Sequence, residues 1–545
     1  MESLQTPPSQ SWLSWFFRGI LFLGIFILFG RVFELQVIKG EYYHNLADGN
    51  RIRRVPITAA RGKVYASGGE VLIDNIPQEF TVSFNSGGFA IAPVKDDTPG
   101  EERIVLWRRF YPLGDAFGHI SGYLGEVNEN EAGKVDSRCI EKGVRDIKSI
   151  VGRGGLEEMY GCTLRGQDGE DLVEVDTMGN RVRTLGRHSS VPGTDIYTNI
   201  DYALQKKVAE AMRGKEGAVV ATKPSGEVLA LYSSPSFDPN IFVVSDQEKI
   251  SSVLSSSALP LFNRATGGLY HPGSIFKIIT STAALEGGIV SRKYKYTDTG
   301  TVTVNDFSYT NWYFTQYGGT EGEIDLSRAL ARSTDTLFYE IAGEVGPESL
   351  SSWAKMFGLG DKTGIDLPGE TAGLVPTPEW KKAIKGERWF LGNTFHLGIG
   401  QGDLIVTPLA ANRIAAVVAN GGQLCEPKIN SSLPTNCKDL GINPDNLNYI
   451  KEGMVGACST GGTAYPFFDF SVKVACKTGT AETFEKDTTH AWFSIFAPLD
   501  NPEIVLTVLV EKGGEGSKVA APIAKEILSF KFGIPYTQNE EAAAN

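Results

Sequence analysis

The sequence predicts an α/β protein of two or more domains, carried on one N-terminal membrane helix. The chain has 545 residues, 41% of them hydrophobic and 21% charged, which is ordinary globular usage and enough to bury more than one core. Gly19 to Gly30 carries no charge and is preceded by the aromatic-rich Trp12-Leu13-Ser14-Trp15-Phe16-Phe17. Strand-like runs at Asp195 to Thr198, Gly217 to Thr222, Val472 to Cys476, Trp492 to Phe496 and Ile504 to Val510 are interleaved with helical patterns such as Ile278 to Leu285.

The elements follow in order from the N-terminus. Residues 1–11 form a short stub. Residues 12–33 form the anchor: the charge-free run alone is too short to span a bilayer, but Trp12 to Gly30 suffices if Arg18 snorkels to the headgroups. No small-residue cleavage pattern follows, so the segment is expected to stay as an uncleaved signal anchor. Arg31, Lys39, Arg51, Arg53 and Arg54 lie after it and only Glu2 and Arg18 before or within it, so charge alone does not favour an exported C-terminal part. Large domains translocate largely regardless of such charges. At the other end, residues 533–545 are polar and Ala-rich, and a disordered tail is expected.

Chemistry is concentrated in three clusters: Ser274-Ile275-Phe276-Lys277, Ser333-Thr334-Asp335 and Lys477-Thr478-Gly479-Thr480. A serine hydroxyl needs a neighbour to take its proton and donors to hold the oxyanion formed on attack. Pro272-Gly273 before Ser274 and the apolar run after Lys277 start a helix near the serine, and a three-residue spacing puts both side chains on one face. A buried lysine facing other cations loses its proton and becomes a base. Ser333 supplies a hydroxyl relay to a leaving amine, and Asp335 holds Lys277 or a substrate amide. Lys477, Thr478 and Thr480 clamp a carboxylate, Gly479 lets a backbone approach, and the N–H groups of Ser274 and Thr480 face the oxyanion. The set implies acyl transfer through a serine ester.

Each cluster alone is weak, since a Ser and a Lys three apart arise by chance about twice in a chain of this length. Ser352-Trp353-Ala354-Lys355 is such a match, read as the solvated face of an amphipathic helix. Lys362-Thr363-Gly364 repeats the third cluster inside a Gly-rich turn, whereas Lys477 ends a strand-like segment.

Together the clusters resemble those of penicillin-binding proteins and serine β-lactamases. Further stretches narrow the resemblance to class B penicillin-binding proteins of the elongation type: Asn263 to Thr266 leading into His271-Pro272-Gly273-Ser274, Thr363 to Glu370, Gly398 to Gly402, and His490-Ala491-Trp492-Phe493. Upstream, Arg61-Gly62-Lys63-Val64-Tyr65, Tyr111 to Gly114, Gly118 to Tyr123 and Gly155 to Tyr160 are similar to that class's pedestal region, which free-standing β-lactamases lack. The resemblance implies a β-rich pedestal at 34–194 and a transpeptidase domain at 195–532, an antiparallel sheet of about five strands covered by helices. Ala66-Ser67-Gly68-Gly69 departs from the usual Asp-Arg-Asn-Gly, Val82 to Trp107 is far shorter than the usual head, and Asp335 stands where most of the superfamily has asparagine.

As implied by the resemblance, the enzyme crosslinks peptidoglycan stem peptides at a bacterial inner membrane, with its catalytic domain in the periplasm. Ser274 attacks, Lys277 is the base, and β-lactams inhibit by forming a slow ester. A RodA-type glycan polymerase and the elongation machinery are the implied partners. The alternatives are a D,D-carboxypeptidase or β-lactamase-type hydrolase, and a non-catalytic β-lactam sensor or wall scaffold.

A formal charge of -12 argues against nucleic acid as a partner. No cofactor and no metal are expected, because the six histidines are scattered without ligand spacing. His271 is read as packing or hydrogen bonding, and Gly398 to Gly402 as a tight turn before a helix near Thr407-Pro408. Six cysteines are too few for a disulfide framework in a chain this long. One or two bonds are expected, Cys425 with Cys437 foremost, and Cys476 is read as a small apolar residue on a buried strand.

Overall fold

Five strands that alternate side chains between two apolar cores form the centre of the molecule. The computed structural model describes residues 12–85, 88–94, 102–142, 144, 149–176, 178, 180–483 and 485–536; the stub and most of the expected tail lie outside them. The strands are β1 (Gly217–Thr222), β2 (Val228–Ser234), β3 (Ala475–Glu482), β4 (Thr489–Ala497) and β5 (Ile504–Val510), ordered β2-β1-β5-β4-β3 and antiparallel throughout. On β4, Trp492 and Phe496 enter one core while Ala491, Phe493 and Ile495 enter the other, the period-2 pattern of a strand covered on both faces. The expected sheet is therefore present. Its last two expected strands are in place, and β3 starts later than expected, running through the whole Lys477 cluster and not ending at it.

The N-terminal helix α1 (Trp12–Phe33) buries none of its residues and, with the turn after it, is the one helix among the described residues apolar and long enough to cross a membrane. Seven further helices matter for the site. They are α2 (Lys277–Glu286), α3 (Leu326–Arg332), α4 (Asp335–Val345), α5 (Leu391–Gly398), α6 (Pro408–Ala419), α7 (Pro444–Ala457) and α8 (Ala521–Phe532). Starts are chemically marked: Thr407 and Asn443 cap α6 and α7 ahead of a proline, and the Asp325 carboxylate accepts from the Arg328 N–H at α3. Helix α6 is buried along its length and packs on the sheet with α2, α4 and α7, while α8 covers the opposite face.

The chain packs as two compact units. The first comprises Met1–Ala60, Pro77–Arg108 and Gly166–Pro192; it contains a three-stranded antiparallel sheet of Ile52–Ile57, Gly169–Val175 and Arg181–His188, and a strand pair over 80–93. The second comprises Arg61–Ile76, Arg109–Arg165 and Gly193–Asn545. The strand expected at Asp195 to Thr198 shortens to Ile196–Tyr197 and pairs in parallel with Val64–Tyr65, away from the five-stranded sheet.

The cysteines require a correction. All six are paired, as Cys139–Cys162, Cys425–Cys437 and Cys458–Cys476. Cys476 is buried on a strand as expected, but it is bonded and not a free apolar side chain. Spacing along the chain could not reveal this, because the partners meet only when α7 docks beside β3.

Candidate active site

Pro272 and the glycine after it deliver Ser274 into a 3-10 turn, Gly273–Phe276, that runs into α2. Gly273 has φ +56°, and a Cβ there would lie 2.8 Å from the Thr480 carbonyl oxygen. Behind it, the Gly273 N–H donates to the Gly400 carbonyl at 2.9 Å; at Gly400, φ is +74° and a Cβ would meet the Gly273 oxygen at 2.2 Å. Only glycine allows the β3 edge, the serine turn and the Gly398–Gly402 turn to stack this closely. That turn, expected only to precede a helix, thus also backs the serine. The Ser274 side chain is half-buried and has no hydrogen-bond partner among the described residues.

The other three polar groups close into a buried triangle. Lys277 Nζ donates to the Ser333 carbonyl (2.8 Å), to Ser333 Oγ (3.2 Å) and to Asp335 Oδ1 (2.6 Å). Lys477 Nζ donates to Ser333 Oγ (2.9 Å) and to the Thr478 carbonyl (3.0 Å). Both lysines are 0% exposed. With both lone pairs of the Ser333 hydroxyl engaged by amines, its proton is left to point elsewhere.

Local chain geometry explains why Ser333 can face two lysines. It ends α3 in the left-handed region at φ +58°, and α4 begins two residues later at Asp335. A non-glycine residue there costs of order 1 kcal/mol or more, the kind of strain found at functional sites.

Burial sets the electrostatics. It pushes the Lys277 amine below its ordinary value, with the Asp335 charge partly opposing. It pushes Lys477 much further down, and the neighbouring Lys277 charge adds to the effect. The aromatic ring of Phe338 lies 5.1 Å from Lys277 Nζ.

Each residue singled out from the sequence has a definite place. Ser274, Lys277, Ser333, Asp335, Lys477, Thr478, Gly479 and Thr480 converge, with a Cβ at Gly479 reaching 3.3 Å from both Ile275 and the Pro272 oxygen. The decoys do not: Ser352 and Lys355 are exposed on a helix, and Lys362 is exposed in a turn. The His271 ring bonds the Leu404 carbonyl at 2.7 Å, a supporting contact.

Sequence reasoning missed Asn311, whose Oδ1 accepts from the Asp335 N–H at 3.2 Å, and Trp312, whose N–H donates to Asp335 Oδ2 at 3.2 Å. It also missed Thr463, whose Oγ1 shares a 2.8 Å hydrogen bond with Thr478 Oγ1. Asn311 and Trp312 open a short helix, Trp312–Tyr317, and Thr463 lies in a loop; none carries a spacing signal.

Comparison with known proteins identifies a family. Residues 217–529 match the penicillin binding protein transpeptidase domain, and residues 88–198 match the penicillin-binding protein dimerisation domain. The chain is 30% identical over 592 residues to the peptidoglycan D,D-transpeptidase MrdA of Acinetobacter baumannii, covering 94% of this chain and 86% of that one. Among solved structures, it is similar to Pseudomonas aeruginosa PBP2 in complex with WCK 5153, with TM-score 0.72, 31% identity and coverage of 90% and 100% of the two chains. It is also similar to a chain in a structure described as the coordination of polymerization and crosslinking by a peptidoglycan synthase complex, with TM-score 0.77, 28% identity and coverage of 97% and 99%.

Proposed function

Because the chain belongs to the penicillin-binding protein transpeptidase family, we propose that its site crosslinks cell-wall stem peptides through an ester on Ser274. It is a peptidoglycan D,D-transpeptidase of the elongation type. The observation that carries the residue roles is the pair of buried, depressed lysines sharing Ser333 Oγ beside an unpartnered Ser274 hydroxyl.

In the first half-reaction, neutral Lys277 takes the Ser274 hydroxyl proton as the oxygen attacks the carbonyl between the last two residues of a stem peptide. The N–H groups of Ser274 and Thr480 receive the oxyanion. As the tetrahedral centre collapses, the C–N bond breaks and the departing amine of the terminal D-alanine takes a proton from Ser333, which is refilled by the lysines it bonds. Thr478 and Thr480 hold the departing carboxylate. In the second half-reaction, a side-chain amine of a neighbouring stem attacks the ester, loses its proton by the same route, and frees Ser274. A β-lactam enters the first half-reaction and leaves a slow ester.

The apolar α1 supports a single-pass anchor in the bacterial inner membrane with the catalytic unit in the periplasm, where disulfides persist. The peptidoglycan synthase complex of the solved relative supports partnership with a RodA-type polymerase and the elongation machinery.

The test is intact-mass spectrometry of the detergent-solubilised chain after exposure to a fluorescent penicillin, beside Ser274→Ala. A one-to-one adduct that persists for many minutes and is absent from the variant is expected. Rapid loss of the adduct with hydrolysed drug would indicate a hydrolase, and an adduct on the variant would remove Ser274 from its role.

A further inference from the structure

We propose that the Cys458–Cys476 disulfide is a positioning device that holds Lys477 against Ser333. Cys476 is the residue immediately before Lys477 on β3, and successive strand residues point to opposite faces. Cys476 enters the core beneath α8, whereas Lys477 is directed to the other side, where its amine meets Ser333 Oγ at 2.9 Å. Pinning Cys476 therefore fixes which face Lys477 takes and how far along the strand it stands.

The other end of the bond leads back to the same serine. Cys458 is the residue that ends α7, and α7 lies close on α3: a Cβ at Gly456 would sit 2.9 Å from the Ala331 Cβ, and one at Gly453 would sit 3.0 Å from Leu330 and from the Ser327 oxygen. Helix α3 ends directly at Ser333. The bond thus closes a ring from Lys477 through Cys476, Cys458, α7 and α3 to Ser333, with the amine–hydroxyl hydrogen bond as its last link. Between the two cysteines, 18 residues apart, lies Thr463, which bonds the Thr478 hydroxyl, so the same staple braces the carboxylate clamp.

Edge strands need such a brace. Strand β3 has a neighbouring strand, β4, on one side only. Lys477 is also a fully buried amine in a site already holding Lys277, so its placement depends on how β3 is held. Both cysteines are buried, so the bond is shielded from exchange in the folded protein and serves geometry.

This inference rests on the acyl-transfer reading, which Ser274→Ala tests by itself. Non-reducing peptide mapping of the full-length protein comes first; a crosslinked Cys458–Cys476 peptide is expected, and two free thiols would overturn the proposal. Full-length Cys458→Ala/Cys476→Ala in detergent is then compared with wild type and with Cys425→Ala/Cys437→Ala, which removes a bond in a different hairpin. Thermal unfolding and acylation by a fluorescent penicillin are measured on each across pH.

Loss of Cys458–Cys476 is expected to slow acylation at least about tenfold, since small displacements of a catalytic group are this costly, while the control changes less than about twofold. The rising limb of the pH profile is expected to move upward. Loosening β3 lets water reach both amines, raises their pKa toward the ordinary value, and keeps the base protonated to higher pH. A folded variant with wild-type acylation, or one slowed with an unmoved limb, would overturn the proposal. So would failure of both this variant and a volume-refilled Cys458→Val/Cys476→Ala to fold, because the bond would then be a folding determinant and not a positioning one.

Discussion

Glu157 and Asp335 are both carboxylates set against buried cations in the same compact unit, and the two sites use charge in opposite ways. Glu157 is 0% exposed and meets Arg109 Nε and Arg61 Nη2, each at 2.6 Å; Arg109 also donates to the Gly62 carbonyl and to Asn75. Burial alone would raise the Glu157 pKa, but the two guanidiniums outweigh it and hold the carboxylate charged. Around Asp335 the balance is reversed. One carboxylate faces two fully buried amines, so burial wins over pairing and the lysines are the groups that shift. Each carboxylate faces two cations; guanidiniums hold their protons and so make a fixed strut, whereas buried amines can lose theirs and so become groups that exchange protons.

The largest expected effect breaks the catalytic side of this comparison. Lys277→Ala should slow penicillin acylation, measured per folded molecule, by about 10³-fold, the scale of losing a general base. Comparable acylation in the variant would assign the base elsewhere. On the structural side, Glu157→Ala should cost about 3–5 kcal/mol of stability, because two guanidiniums remain without their shared carboxylate. Acylation per folded molecule should hold, and chemical denaturation together with active-site titration separates the two quantities.

The pH responses sharpen the contrast. Glu157 binds its proton less readily folded than unfolded, so its stabilisation is complete above the ordinary value of 4.5 and is lost as pH falls through the lower folded one. Lys277 must be neutral to act and its pKa is lowered, so acylation should rise with pH along a limb whose midpoint lies below 10.5. Asp335→Asn removes the charge that opposes this lowering, and the limb should move to lower pH. A shift the other way would show that Asp335 acts on something other than the amine. The smallest effect is Thr463→Val, which removes one partly buried hydrogen bond to Thr478; a loss of about 1 kcal/mol or less is expected, read as weaker apparent affinity for a carboxylate-bearing ligand with little change at saturation.

The groups proposed for catalysis were legible because acyl-transfer chemistry imposes short spacings. Ser274 and Lys277 sit one helical turn apart, Ser333 and Asp335 flank a single junction, and the Lys477 cluster lies on one strand. Residues joined to them from a distance were not legible. Asn311 and Trp312 at the start of a short helix and Thr463 in a loop have ordinary neighbours in the chain, and their roles exist only through hydrogen bonds to Asp335 and Thr478. The disulfides show the same divide. Cys425 and Cys437 sit in paired positions of one hairpin and were anticipated, whereas Cys458 and Cys476 belong to a helix and an edge strand.

Local patterning by itself determined the long apolar N-terminal helix, the strand-rich α/β class, and the three short clusters that converge on one site, because apolar periodicity and motif spacing are properties of neighbours in the chain. Tertiary structure alone decided that Lys277 and Lys477 share one serine hydroxyl, that the Gly398–Gly402 turn backs the nucleophile, and that β3 is tied to α7. Those facts depend on burial and on the meeting of distant segments, and burial is what shifts the amines toward the neutral forms the chemistry requires.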